Sequence, residues 1–149
     1  MWVDTESVVR LRRVVLGLAR RLNAASAGEG LTPAQASVLA VVVNQGPIGL
    51  TELGEIEGLN PTMLSRVVGN LVALGLLDRR RDPDDYRAAR AEVTTSGEAV
   101  WQRISAERSK VISECVMELP ADQEAALIAA LPALENLSER LRAMMRGAR

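Results

Sequence analysis

Two helix-start signals built on proline divide the middle of the chain. Thr32-Pro33 and Asn60-Pro61 each place a good N-cap residue before a proline at the first helical position. Gly46, Gly58 and Gly75 follow the apolar segments and are typical helix ends. These signals predict short helices over residues 32–75 and exclude a single long helix there.

The signals predict three consecutive short helices. The first covers Ala34 to Asn44, the second Glu52 to Glu57, and the third runs from Asn60-Pro61 to Gly75. We expect Thr51 to cap the second helix, with Glu52 near its positive end. The third helix carries apolar residues on one face, namely Leu64, Val67, Val68, Leu71 and Leu74. Its polar residues lie largely on the exposed side, namely Thr62, Ser65, Arg66 and Asn70.

A β-hairpin is predicted directly after the third helix. The stretch from Leu76 to Thr95 contains a dense turn signal, Asp82-Pro83-Asp84-Asp85, followed by alternating apolar and polar residues. Arg79, Arg80 and Arg81 precede the turn. Because side chains alternate along a strand, the three cannot all point the same way, and we expect two of them, Arg79 and Arg81, to face a ligand.

Longer amphipathic helices are predicted on both sides of this region. The first runs from Thr5 to about Ala27, the next from Ser96-Gly97 to Leu119-Pro120, and the last from about Ala121 to Arg146. Pro132 lies inside the last helix, where a proline costs about 3 kcal/mol. We therefore expect a kink or a split at Pro132.

The composition excludes several classes of chemistry. The chain has no histidine and a single cysteine, so imidazole bases, histidine-ligated metals and an intramolecular disulfide are excluded. Its three aromatic residues are too few for stacking platforms that bind single-stranded nucleic acid. We expect no cofactor and no metal. An enzyme is the weakest hypothesis, because paired carboxylates such as Asp84 and Asp85 lie in a turn without sign of a pocket.

Two side chains on the stripe of the helix after the hairpin have competing interpretations. Trp101 fits the core or a dimer interface better than the wall of a ligand site. The lone Cys115 fits a buried small hydrophobic residue better than a reactive thiol.

The formal net charge is −1 and no segment is strongly basic, so DNA contacts would have to come from individually placed arginines. The longest uncharged run, Gly30 to Thr51, is interrupted by polar residues and Pro47, which argues against a transmembrane span. The N-terminal residues lack the uninterrupted apolar region of a signal peptide. We therefore expect a cytoplasmic protein that does not contact membranes.

Three short helices, an arginine-bearing hairpin and flanking long helices follow the order of a winged helix-turn-helix protein. The motifs that carry this likeness are LTELG at 50–54, NPTMLSRVV at 60–68, LVALGLLDR at 71–79, DPDDYR at 82–87 and VTTSG at 93–97. In this order and at this spacing, they resemble the MarR family of bacterial transcription regulators over nearly the whole chain.

The resemblance implies one domain over residues 1–149 that is mainly α with a small β-hairpin wing. A winged helix-turn-helix lobe over about 33–95 would be flanked by N- and C-terminal dimerisation helices over about 5–27 and 97–146. It further implies a homodimer whose two lobes dock in adjacent major grooves of double-stranded DNA.

The resemblance also implies a set of DNA-binding residues. The reading face of the recognition helix would comprise Pro61, Thr62, Ser65, Arg66 and Asn70. Arg87 matches the wing-tip arginine that the family places in the minor groove, and Asp85 matches the residue that steadies it. The remaining candidates are Thr51, Arg79, Arg81 and Arg90. Arginine suits guanine edges and narrow minor grooves, and hydroxyls and helix N-termini suit phosphates.

The residues also allow structural roles for several members of this set. Arg66 could be solvated, Thr62 could be a first-turn helix residue only, and Thr51 could cap a helix and also bind a phosphate. Arg90 could pair with Asp84, Asp85 or Glu92 instead of DNA.

The functional hypothesis is a ligand-responsive repressor that binds a pseudo-palindromic operator as a homodimer. Its effector would be a small hydrophobic or aromatic acid, although the sequence does not reveal the ligand-binding residues. The alternative is a dimeric protein-interaction module without useful DNA affinity, which the acidic residues of the second short helix favour, namely Glu52, Glu55 and Glu57.

Overall fold

The computed structural model describes residues 4–25 and 27–147 and contains the predicted elements in the predicted order. Trp2, one of the three aromatic residues of the chain, lies outside the described residues. The helices are α1 (Thr5–Ala25), α2 (Pro33–Gln45), α3 (Leu50–Glu57), α4 (Pro61–Ala73), α5 (Thr95–Met117) and α6 (Ala121–Gly147). The strands are β1 (Ile48–Gly49), β2 (Leu77–Arg81) and β3 (Ala89–Val93), and a short 3-10 helix covers Ala27–Glu29.

Side-chain caps start α2 and α4 where the sequence predicts them. Thr32 and Gln35 form a reciprocal capping box, in which the backbone N–H of each residue donates to the side-chain oxygen of the other. Asn60 Oδ1 accepts a hydrogen bond from the Met63 N–H at 2.8 Å. These bonds satisfy N–H groups that the first turn of a helix leaves free, so both helix starts are locally encoded.

The predicted cap of α3 is wrong. Gly49 is the N-cap, it makes no side-chain cap bond, and Thr51 is an exposed residue of the first turn. The reason is that Gly49 also belongs to β1, where it pairs with Arg90 in extended conformation. The chain therefore passes from strand to helix without a spacer in which Thr51 could act as a cap.

The sheet has three antiparallel strands in the order β1-β3-β2, so the predicted hairpin gains one short strand. Ile48 of β1 pairs with Ala91, and Leu77 of β2 pairs with Val93. The apolar core lies between this sheet and α2, α3 and α4. Its buried members include Val38, Leu39, Val42, Ile48, Leu53, Leu64, Val68, Leu71, Leu77 and Ala91.

Leu74 was predicted on the buried face of α4 but is 57% exposed. The helix ends at Ala73 and Leu74 is its C-cap, so the helical spacing that would bring its side chain to the core ends one residue too early. Gly75 follows with a φ of +73°, a left-handed conformation that favours glycine.

Residues 75, 76, 94 and 97 connect the end of α4 to the start of α5, and we call them the α4–α5 junction. Thr94 Oγ1 donates to Gly75 O at 2.6 Å, and the Thr94 N–H donates to Leu76 O at 3.1 Å. Thr94 Oγ1 also accepts from the Gly97 N–H, which caps α5. A Cβ at Gly97 would lie 2.0 Å from Leu76 O, so only glycine allows this approach.

The long helices expose much of their apolar surface. On α1 the exposed residues include Val8, Leu11, Val14, Val15, Leu16 and Leu18, and on α6 they include Leu127, Ile128, Leu131, Leu137, Leu141, Met144 and Met145. No helix in the described part of the chain is both long and apolar enough to cross a membrane.

Pro132 does not split the last helix, because α6 is continuous from Ala121 to Gly147. Good helix formers on both sides, such as Ala129, Ala130, Leu131 and Ala133, offset the one backbone hydrogen bond that the proline removes.

Of the two side chains of α5 that were expected to be buried, Trp101 packs against the core and Cys115 does not. Trp101 is half-buried and packs against the core cluster, and the Arg108 guanidinium lies 5.6 Å from its ring centroid. The prediction of a buried Cys115 is wrong, since its side chain is exposed. Cys115 lies near the far end of α5, beyond the part of the helix that packs on the core.

Candidate nucleic-acid interface

Helix α4 presents its predicted polar face to solvent. Leu64, Val68 and Leu71 are buried, whereas the five predicted reading residues are all exposed, namely Pro61, Thr62, Ser65, Arg66 and Asn70. Their spacings of three, four and eight residues place most of them on one side of the helix. Arg66 and Asn70 are therefore free of the core and able to meet a partner.

The wing strands separate the three consecutive arginines as alternation requires. Arg79 and Arg81 lie on one face opposite Ala91 and Ala89, and Arg80 lies on the other face opposite Arg90. Arg80 Nε contacts Glu92 Oε2 at 3.2 Å, so this guanidinium already has a carboxylate partner within the sheet.

Arg79 connects the wing to helix α4. Its Nη1 atom lies 3.5 Å from Ser65 Oγ, a long contact between two exposed side chains. Because Ser65 is on α4 and Arg79 is on β2, this contact places a wing arginine beside the reading face.

Aspartate side chains shape the wing tip. The Arg87 N–H donates to Asp85 Oδ1 at 2.9 Å, and the Asp84 N–H donates to Asp82 Oδ1 at 2.9 Å. Asp85 therefore steadies Arg87 through its backbone, and no salt bridge occupies the Arg87 guanidinium within the described residues. Tyr86, at the same tip, is 83% exposed.

Arg90 differs from the other candidates. Its Nη2 donates to Pro47 O at 2.9 Å, and its Nη1 lies 3.9 Å from Asp82 Oδ2. The alternative pairings with Asp84, Asp85 or Glu92 do not form, since Arg90 instead reaches the turn before β1. The geometry thus assigns Arg90 contacts within the protein.

Two adjoining grooves bring together five of the predicted residues. A groove of about 660 Å³ is lined by Gly49, Leu50, Thr51, Glu52, Glu55, Arg79, Arg87, Ala88 and Ala89. A second groove of about 400 Å³ runs towards α4 and is lined by Leu50, Thr51, Gly54, Glu55, Leu59, Pro61, Leu64, Ser65 and Arg79. The grooves therefore join Thr51, Pro61, Ser65, Arg79 and Arg87. The other six predicted residues do not line them, namely Thr62, Arg66, Asn70, Arg81, Asp85 and Arg90.

Some features of this surface were not among the predicted site residues. Glu52 and Glu55 line the same grooves as Arg79 and Arg87, which gives the surface mixed charge. Met63 is 53% exposed on the first turn of α4, next to Thr62. Helical spacing alone could have placed Met63 there, since Leu64 fixes the buried side.

The described residues contain no group of three or more His, Cys, Asp or Glu side chains that could hold a metal ion. The arrangement instead combines exposed arginines, hydroxyl groups and a helix N-terminus on one side of the lobe. This chemistry suits an extended polyanion with readable polar edges.

Comparisons with known proteins agree with this geometry. The model of the MarR family matches residues 31–89. A curated relative, an uncharacterised HTH-type transcriptional regulator of Mycobacterium leprae, is 27% identical over 120 residues, which cover 80% of this chain and 84% of the relative.

Solved structures show the same fold. The Rv1404 protein of Mycobacterium tuberculosis is 26% identical with a TM-score of 0.76, and the alignment covers 91% of each chain. A mutant MarR from Escherichia coli, solved in complex with operator DNA, is 24% identical with a TM-score of 0.65 and coverage of 89% of this chain and 99% of that one. The family and the curated relative are transcriptional regulators and not enzymes. The winged helix-turn-helix lobe, the MarR family match over residues 31–89 and these relatives together make the protein similar in sequence and fold to transcriptional regulators of the MarR family.

Proposed function

We propose that the protein is a ligand-responsive repressor that binds a pseudo-palindromic DNA operator as a homodimer. The observation that carries this proposal is the joint surface of α4 and the wing, where Arg79 contacts Ser65 and Arg87 lies at an exposed tip. The neighbour from Escherichia coli, which shares the fold, was solved with operator DNA. Such a role would place the protein in the cytoplasm together with the chromosome.

In this proposal, α4 enters the major groove and the wing follows the adjacent minor groove. Arg66 and Asn70 read base edges, because arginine matches guanine O6 and N7 and asparagine matches adenine N6 and N7. Thr51, Pro61, Thr62, Ser65, Arg79 and Arg81 contact or approach phosphates. Arg87 enters the minor groove and Asp85 holds its backbone.

The dimer would form through the long helices over about 5–27 and 97–146, leaving residues 33–95 as the DNA-binding lobe. Exposed apolar residues on both α1 and α6 support this division, because such surface is rarely left in contact with water. The two lobes would then meet half-sites about one helical turn apart. A small hydrophobic or aromatic acid would act by changing the separation of the lobes.

The direct test is selection of random duplex DNA by the purified protein, followed by a salt titration on the enriched sequence. We expect a palindrome whose binding constant falls with salt at a slope of about −0.9 per phosphate neutralised. Weak binding without enrichment would contradict the proposal and favour the protein-interaction alternative, for which Glu52 and Glu55 in the grooves are the relevant residues.

A variant pair tests the wing. Arg87→Ala should weaken binding to the selected operator by about 1–3 kcal/mol while the circular dichroism spectrum stays unchanged. Arg80→Ala is the matched control, because Arg80 lies on the opposite face and is paired with Glu92. Equal affinities for wild type and Arg87→Ala would remove the wing tip from the mechanism.

A further inference from the structure

Arg90 is held more closely by the protein than the neighbouring wing arginine Arg80. Its side chain is 36% exposed, whereas the side chain of Arg80, directly across the strand pair, is 68% exposed. The Nε atom of Arg90 is buried and has no hydrogen-bond partner among the described residues. A guanidinium that leaves a donor buried is held there by its other contacts, since an unsatisfied buried donor is unfavourable.

Those other contacts lie at opposite edges of the sheet. Arg90 Nη2 donates to Pro47 O at 2.9 Å, in the turn that precedes β1. Arg90 Nη1 lies 3.9 Å from Asp82 Oδ2, at the point where β2 ends and the wing tip begins. Because Arg90 is on the central strand β3, its guanidinium links the turn before β1 to the residue that follows β2.

Asp82, which contacts Arg90, also makes two hydrogen bonds to residues of the wing tip. Its Oδ1 accepts the Asp84 N–H, and its own N–H donates to Ala88 O at 3.0 Å. The Ala88 N–H in turn donates to Asp85 O, and Asp85 Oδ1 accepts the Arg87 N–H. A continuous set of contacts thus runs from Pro47 through Arg90 and Asp82 to Arg87.

We propose that Arg90 is a positioning residue that braces the wing against the turn before β1 and so fixes the direction of Arg87. Arg90 does not contact DNA in this arrangement, because its guanidinium is engaged inside the protein. The proposal rests on the proposed DNA-binding function, but its effect on the wing exists in the free protein and can be measured there.

The first experiment measures hydrogen exchange of backbone amides in the free protein. Arg90→Met keeps most of the side-chain stem and removes the guanidinium. We expect exchange at Asp84, Arg87 and Ala88 to accelerate about tenfold, with exchange in the buried parts of α2 and α4 unchanged. Arg80→Met, on the same face of the neighbouring strand, is the matched control and should leave the wing amides as they are.

The second experiment is a double-mutant cycle on affinity for the selected operator. Arg90→Met should weaken binding about fivefold or more in the wild-type background and less than about twofold in the Arg87→Ala background. This loss of effect is expected because a positioning residue acts only through the group that it positions. A purely structural loss would weaken binding equally in both backgrounds.

The outcomes are distinct. Equal losses in both backgrounds would mean that Arg90 contacts DNA or acts elsewhere, and unchanged wing exchange would mean that it does not brace the wing; either result overturns the proposal. Faster exchange with unchanged operator affinity would also overturn it. If the wild-type protein selects no DNA, the proposed function fails, while the exchange experiment still decides whether Arg90 braces the wing.

Discussion

The wing arginines carry the same charge but have different surroundings, because strand alternation and register decide what each side chain meets. Arg79 lies beside Ser65 of α4, Arg80 is paired with Glu92, and Arg90 reaches Pro47. The sequence could predict that Arg79 and Arg81 share a face, since alternation is a local rule. It could not predict the Arg90 contact, because Pro47 is 43 residues away along the chain.

Glu57, at the end of α3, provides a prediction that depends on pH. Its side chain is partly buried and its Oε1 accepts a hydrogen bond from Ser37 Oγ at 3.1 Å. Burial raises the pKa of Glu57, and the Ser37 hydrogen bond partly opposes that rise. Folding is therefore favoured by the protonated form, and this contribution is lost as the pH rises through the pKa of the folded state.

We expect Glu57→Gln to raise the Tm by about 1–3 °C at neutral pH, because the amide has no charge to desolvate and can still accept from Ser37. The difference should disappear below the ordinary carboxyl range, where Glu57 is neutral in both the folded and the unfolded chain. Thermal unfolding is followed by circular dichroism at evenly spaced pH values from about 3 to about 8. This series measures the Tm gain at neutral pH and its loss at low pH. Glu55→Gln, at an exposed position of the same helix, is the control; a Tm gain independent of pH would contradict this account.

At the scale of elements, local signals predicted the helix starts and long-range pairing produced the errors. Thr32 and Asn60 cap α2 and α4 through residues three positions away, so both signals are contained in a short stretch of sequence. Strand β1 has only two residues and forms because Ile48 and Gly49 pair with β3. The sequence around these two residues does not indicate that pairing. The error at Thr51 follows from the same cause.

Two helical glycines should respond in opposite ways to alanine. At Gly97 a new Cβ would meet Leu76 O at 2.0 Å, so Gly97→Ala should reduce the free energy of unfolding by about 3 kcal/mol. At Gly69, exposed in the middle of α4, a Cβ meets nothing within 4 Å, so Gly69→Ala should increase it by about 0.5–1 kcal/mol. Urea unfolding of both variants provides the measurement, and similar stability changes in the two would contradict the close packing at the α4–α5 junction.

At the scale of the whole molecule, some apolar residues are buried in the lobe and others are exposed on the long helices. Those of the lobe form one buried cluster, whereas those of α1 and α6 are largely exposed in the single chain. Amphipathic spacing predicted α1, α4, α5 and α6, but spacing alone does not say whether an apolar face is covered by the same chain. The wrong prediction for Cys115 has this origin, because the apolar stripe of α5 continues beyond the part that the chain itself covers.

The proposed dimer is therefore sensitive to a charge on the apolar face of α6. Wild-type protein should elute with twice the chain mass of 16.1 kDa in size-exclusion chromatography with light scattering. Leu131→Glu, at an exposed apolar position, should weaken association by about 2 kcal/mol or more and shift the protein towards a monomer. Asn136→Glu, on the opposite side of the helix by spacing, is the control, and a dimer that tolerates Leu131→Glu would exclude this face from the interface.

The close packing at Gly97 also gives α5 a mechanical property. Because the junction joins the start of α5 closely to the end of α4, we expect α4 to move together with α5 when α5 tilts. With 23 residues, α5 is about 34 Å long. Tilting a lever of that length by about 6° displaces its end by about 3.5 Å, close to the 3.4 Å step between successive base pairs. In the proposed complex with operator DNA, such a tilt of α5 would shift α4 by about one base-pair step along the duplex.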